Sequence, residues 1–134
     1  MKKIVSRLLA MVLVVVMGVG LVSCSSAPTG LTGNYRDDTI ALINTLRTAI
    51  ELPDDSAEKQ SAQAQARQMI NDFSSLYRRD GAYTKLSSYT TMRTALNSLA
   101  GHYSSYPNRP VPEKLKERLE LEFNRVESAL KRGA

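Results

Sequence analysis

The chain has 134 residues, 18 of them basic and 13 acidic, for a formal net charge of +5. That length allows one compact domain and excludes two. A charge this modest, with acid interspersed among the bases, carries no nucleic-acid signature.

The chain opens on Lys2, Lys3 and Arg7, followed by an almost unbroken apolar run of 15 residues from Leu8 to Val22. A spanning helix needs roughly 20. A charged start, a short apolar run and a small residue before the cut describe a signal peptide over residues 1–23. The run ends on Leu21-Val22-Ser23-Cys24, a lipobox pattern. A thiol is needed after the cut because a diacylglyceryl group is attached through sulfur before the peptide bond is cleaved. Cys24, the chain's only cysteine, is therefore the expected lipidation site, holding the protein to the outward-facing side of a membrane. Removing 23 residues from 134 leaves 111 and takes three of the 18 bases, so the mature charge falls from +5 to +2. With its one thiol acylated the mature protein can form no disulfide, and its core must hold the fold alone.

Residues 24–33 are small and aperiodic and read as a lipidated, flexible tether. Its nine residues beyond Cys24, at about 3.3–3.6 Å each, reach roughly 30 Å when extended. The domain is expected over residues 34–134 and reads as helix four times over.

The first helix begins near Asn34, with Asp37 and Asp38 complementing the macrodipole. Tyr35, Thr39, Leu42, Ile43, Leu46, Ala49 and Ile50 fall on one face, and Pro53 ends the helix. Asp55 with Glu58 predicts a capping box for the second helix. Its stripe is Ala62, Ala66, Met69, Ile70, Phe73, Leu76 and Tyr77; Arg78 and Arg79 suit its C-terminal end, and Gly81 its left-handed cap. Ser87 or Ser88 caps the third helix, with Leu86 as a hydrophobic staple. The stripe there is Tyr89, Met92, Leu96, Leu99, Tyr103 and Tyr106, and Pro107 stops it. Pro112 suits the first turn of the fourth helix. That helix buries Leu115, Leu119, Phe123, Val126 and Leu130, and its outer side is laced with the pairs Lys116–Glu120, Arg118–Glu122 and Glu127–Lys131. Short links make successive helices antiparallel, so the expected fold is all-α: an up-down-up-down four-helix bundle.

Catalytic patterns are nearly absent. The one histidine, His102, has only hydroxyls near it in sequence and reads as a surface or interface residue. Asp37-Asp38 and Asp54-Asp55 are adjacent acids whose side chains diverge by about 100° on a helix, so they cap rather than converge on a metal. The facing Glu-x-x-His pattern of di-metal bundles is missing, as are Gly-rich phosphate loops and zinc spacing. The hydroxyls at positions 87, 88, 90, 91, 94, 98 and 104 have no general base beside them. No cofactor or metal is expected, and the chain reads as a binding protein, monomeric when free.

On the third helix Thr91, Thr94, Ser98, Gly101 and Ser105 project opposite the apolar stripe, with Arg93 and Asn97 on the flank. A small, uncharged strip lets another backbone approach closely. Thr91, Arg93, Thr94, Asn97, Ser98 and Gly101 are thus the candidate partner-binding residues. The bland alternative is that this helix packs more centrally, or that the hydroxyls merely meet water.

The run from Thr90 to Pro110 (TTMRTALNSLAGHYSSYPNRP), with Tyr35-Arg36 and Thr39 before it, Phe73 and Tyr77-Arg78-Arg79 between, and Leu115 to Arg118 after, resembles the photosystem II lumenal lipoprotein family of cyanobacteria. The resemblance spans essentially the whole mature chain. It implies a four-helix bundle on the lumenal face of the thylakoid membrane. It implies a non-catalytic assembly and repair factor that transiently binds immature photosystem II, chiefly the lumenal loop of its inner-antenna chlorophyll protein. There it would hold extrinsic subunits off until the manganese–calcium cluster is built. Two other classes stand beside this one: a general envelope lipoprotein adaptor for another membrane complex, and an enzyme whose active residues converge only in the fold.

Overall fold

The computed structural model describes residues 30–107 and 109–134. The signal peptide, Cys24 and the tether up to residue 29 lie outside the described residues. Four long helices and one short one follow: α1 Tyr35–Glu51, α2 Lys59–Tyr77, α3 Gly81–Thr84, α4 Ser87–Ser105 and α5 Glu113–Lys131. No strand occurs among the described residues. The long helices form the expected bundle, with α1 packed along α2, α4 along α5, and α5 returning to α1. The backbones of α2 and α4 approach each other less closely than these pairs, which leaves one seam wider than the rest.

Asn34 caps α1, its side-chain oxygen accepting from the Asp37 amide at 3.2 Å. At the other end Leu52 turns to ψ 136°, as a residue before proline must. Its carbonyl, released from the helix ladder, accepts from the Lys59 ammonium at 2.8 Å. Leu42, Ile43, Leu46, Phe73, Met92, Leu99, Leu119, Phe123 and Val126 fill the centre of the bundle. Burial at about 25 cal/mol per Å² of apolar surface is the main force holding the four helices together. One side is further clamped by Arg47. Its guanidinium meets Glu120 and Glu127 of α5, each at 2.7 Å, and lies over the Phe123 ring.

Several local expectations are corrected. Asp55 and Glu58 form no capping box: Glu58 is the first residue flanking α2, without a side-chain cap bond, and its carboxylate accepts from Ser56 at 2.6 Å. Gly81 is no left-handed cap. It opens α3, a single turn capped by the Asp80 carboxylate on Ala82 N, which carries Tyr83 onto Tyr35 and Tyr77. Neither Ser87 nor Ser88 caps α4: Leu86 takes that place, and Ser88 is buried, its hydroxyl bonded to that of Tyr35 at 2.8 Å. The Ser88 amide instead donates to the Ala134 oxygen. Pro112 flanks α5 one residue earlier than expected.

Leu76 is 49% exposed, because it lies about 75° from the centre of the buried face of α2, on the flank away from Tyr77. Tyr106 is 47% exposed: it terminates α4 in a non-helical conformation that takes its ring off the stripe and under the Arg109 guanidinium. On α5 only the Arg118–Glu122 pair forms as expected; Glu120 and Glu127 are drawn to Arg47, and Lys116 pairs with Glu113. Glu122 itself is buried, since it falls between Leu119 and Val126 on the inward face. The end of α5 is closed by Gly133 at φ 74°, which lets Gly133 N and Ala134 N bond back to Leu130 O and Ala129 O.

Candidate functional site

The approach to α1 is organised by Asp38, one residue past the position that a simple capping acid would need. Its carboxylate is 1% exposed and accepts from Thr32 N and Thr32 Oγ1, at 2.8 and 2.9 Å, and from Gly33 N at 2.9 Å. The Tyr77 hydroxyl of α2 donates a fourth bond at 2.5 Å. Burial alone would raise this carboxyl's pKa; the four donors outweigh it and leave the pKa below the ordinary value. Burial, with the same contact, pushes the Tyr77 phenol up. Leu31 is buried as well. Residues 31–33, read from sequence as the last part of the tether, are thus packed onto the bundle.

His102 is buried, not on the surface, and one ring nitrogen lies 3.2 Å from the Arg109 carbonyl. That contact ties the α4–α5 connection to α4. The acid pairs do not converge: Asp37 is exposed, Asp38 is engaged as above, and Asp54 lies 3.7 Å from Lys59. No group of three or more metal-capable side chains occurs among the described residues. No described helix is long and apolar enough to cross a membrane.

The outward strip of α4 occupies the side away from Leu96 and Leu99. Thr94, Gly101, Arg93 and Asn97 are exposed, while Thr91 and Ser98 are half-buried. The hydroxyls of Thr90, Thr94 and Ser98 donate to the carbonyls of Leu86, Thr90 and Thr94, one turn back. Each of these hydroxyls thus has its proton engaged within the helix rather than free for a partner. Open space surrounds the position where a Cβ at Gly101 would stand.

The flank of this strip runs into the wide α2–α4 seam. Two recesses lie there, sharing Ile70 and Ala100. The larger, about 200 Å³, is lined by Arg67, Ile70, Asn71, Ala100, Tyr103 and Ser104; the smaller, about 50 Å³, has Arg93 and Asn97 on its rim. The Arg67 guanidinium sits 5.2 Å from the centre of the Tyr103 ring. Tyr103 is 3% exposed, and its hydroxyl has no hydrogen-bond partner among the described residues. Burial raises this phenol's pKa, an effect Arg67 partly offsets. The helical spacing puts Tyr103 on the apolar stripe but gives no role to Arg67. An arginine amid the otherwise uncharged run from Ala62 to Asn71 was the available signal.

A family model described as Photosystem II Pbs27 matches residues 5–130. The chain is 61% identical over 130 residues to the Photosystem II assembly factor lipoprotein Psb27 of Thermosynechococcus vestitus, covering 96% of this chain and 97% of that one. It is 56% identical over 133 residues to the Photosystem II lipoprotein Psb27 of Synechocystis, covering 99% and 97%. Among solved structures, the solution structure of Psb27 from cyanobacterial photosystem II superimposes with a TM-score of 0.76 at 57% identity, covering 83% of this chain and 96% of that one.

Proposed function

The chain belongs to the Photosystem II Pbs27 family, and from that premise we propose that it is an assembly and repair factor of photosystem II that acts by binding rather than by catalysis. The observation that carries this reading is identity of 61% along nearly the full length of a relative described as a photosystem II assembly factor. The bundle suits the task physically. Its core is packed, and the centre of its α4 strip is small and uncharged, with Arg93 and Asn97 on the flank.

In this reading lipid on Cys24 anchors the protein at the lumenal face of the thylakoid. Confinement near the membrane raises its effective concentration at a membrane partner without adding a contact. The partner is immature photosystem II, engaged on the lumenal loop of the inner-antenna chlorophyll protein. Thr91, Arg93, Thr94, Asn97, Ser98 and Gly101 form the docking face. Occupancy there keeps extrinsic subunits away while the manganese–calcium cluster matures.

Affinity capture of the tagged full chain from gently solubilised thylakoids tests this reading. The expected catch is chlorophyll-containing photosystem II depleted of extrinsic subunits. Recovery of other membrane complexes in its place would favour a general envelope adaptor and overturn the assignment.

A further inference from the structure

We propose that the end of the bundle from which the tether leaves docks on an anionic lipid surface, through the exposed bases Arg36, Arg78, Arg79, Lys85, Lys131 and Arg132. The nearness of that surface rests on the Cys24 anchor proposed above; the charge of the cluster does not. The fold gathers these bases from distant parts of the chain. The Tyr77 hydroxyl meets Asp38, Tyr83 stacks on Tyr35, the Ser88 hydroxyl bonds that of Tyr35, and the Ser88 amide bonds the Ala134 oxygen. The start of α1, the end of α2, α3, the start of α4 and the end of α5 therefore share one end of the bundle.

The exposed acids at this end are Asp37 and Asp80, while Asp38 is buried. None of the six bases takes part in an ion pair among the described residues. Helix dipoles account for only some of them. Arg78, Arg79, Lys131 and Arg132 stand at the C-terminal ends of α2 and α5, where a cation is favoured. Arg36 lies in the first turn of α1 and Lys85 just before α4, where a cation is disfavoured. An external anion is what those two bases can gain by. Six bases also fall within the range of about 4–8 found in clusters that bind anionic headgroups.

The tether decides for lipid. Leu31 is buried at this end, and six residues, 25–30, separate it from Cys24. That length of chain spans at most roughly 25 Å. A surface holding the lipid on Cys24 therefore lies within reach of the basic cluster. The α1–α2 connection, at the opposite end, carries Glu51, Asp54, Asp55 and Glu58 over residues 51–58 with no base among them. Charge is thus distributed lengthwise, and an anionic surface draws in the tethered end in preference. Docked so, the Ser87 end of α4 is the one nearest the membrane.

The test uses the full-length protein, purified from its membranes in detergent and diluted onto preformed vesicles of phosphatidylcholine, alone or mixed with phosphatidylglycerol. Sparse acetylation, read by mass spectrometry, follows Lys85 and Lys131 at the tethered end and the exposed Lys114 at the other. With phosphatidylglycerol present, Lys85 and Lys131 should react at least about threefold more slowly than on phosphatidylcholine alone, and Lys114 at an unchanged rate. The protection should vanish in about 1 M salt, where the Debye length is about 3 Å. Arg36→Gln combined with Arg79→Gln should weaken it without lowering the melting temperature, since both side chains are exposed. Equal rates at Lys85 and Lys131 on the two vesicles, or slowing shared equally by Lys114, overturns the proposal. So does protection by isolated immature photosystem II that phosphatidylglycerol fails to give, which would assign the bases to a protein partner. Failure to sediment with phosphatidylcholine vesicles rejects the anchor. In that case binding to phosphatidylglycerol with Lys85 and Lys131 protected upholds the basic end, and no binding overturns it as well.

Discussion

Asp38 is 1% exposed where the chain enters α1, and four donors converge on it from Thr32, Gly33 and Tyr77. An ionised carboxylate in that setting is stabilised by charge-assisted bonds, each stronger than a neutral one. Its folded pKa lies below its ordinary value. The stabilisation is therefore present above the ordinary carboxylate range and is lost as pH falls through the lower, folded pKa. Asp38→Asn should destabilise the domain by about 1–3 kcal/mol at neutral pH, the range for breaking a buried bond to a charged group. The gap between variant and parent should narrow as pH drops from about 5 toward 2. Thermal melts across a pH series check this, and a constant gap would show that Asp38 acts by shape alone. From sequence Asp38 read as an acid near a helix start. Its position was legible, but Tyr77, 39 residues away, was not, because long-range partners leave no local pattern.

At the scale of the helix, α4 separates packing from presentation. Leu96 and Leu99 face the core, at 5% and 0% exposure, and Thr94 faces out. Leu96→Ala should cost roughly 2–5 kcal/mol. Thr94→Ala loses only a hydroxyl bonded back to Thr90 and should cost less than about 0.5 kcal/mol. Melting temperatures of the two variants check the orientation of α4; similar losses would contradict it. The 3.6-residue periodicity gave the long helices and most of the core, because burial of a continuous stripe dominates over local preference. Ends were less legible. α3 is too short for a stripe, and Tyr106 leaves its stripe because the backbone, not the spacing, changes there. The charge of Glu122 predicts an exterior position, although its spacing from Leu119 and Val126 points inward, where it lies buried.

For the whole molecule, the two sides of the bundle differ. Arg47 bridges α1 to α5 over its two carboxylates, while α2 and α4 stand farther apart around the seam recesses. That asymmetry was not legible from the sequence. The pairs read along α5 were local ones, and a residue 73 positions away competes for the same carboxylate in the fold. The α4 strip was legible residue by residue, since it needed only a helical projection; its junction with the seam needed the packing of α2. The proposed role depends on the α4 face being the surface that meets photosystem II. Gly101 offers the most direct test: it is exposed, and a Cβ there meets nothing within 4 Å. Gly101→Glu should keep or slightly raise the melting temperature, since glycine in a helix interior is the poorer residue by about 0.5–1 kcal/mol relative to alanine. Docked against a partner, the new carboxylate would lose its hydration without a matching cation. The measurement is the affinity of parent and Gly101→Glu full chains for isolated immature photosystem II, with melting recorded on the same preparations. The account predicts affinity weaker by at least about tenfold, worth about 1.4 kcal/mol, with no loss of thermal stability; unchanged affinity would contradict it.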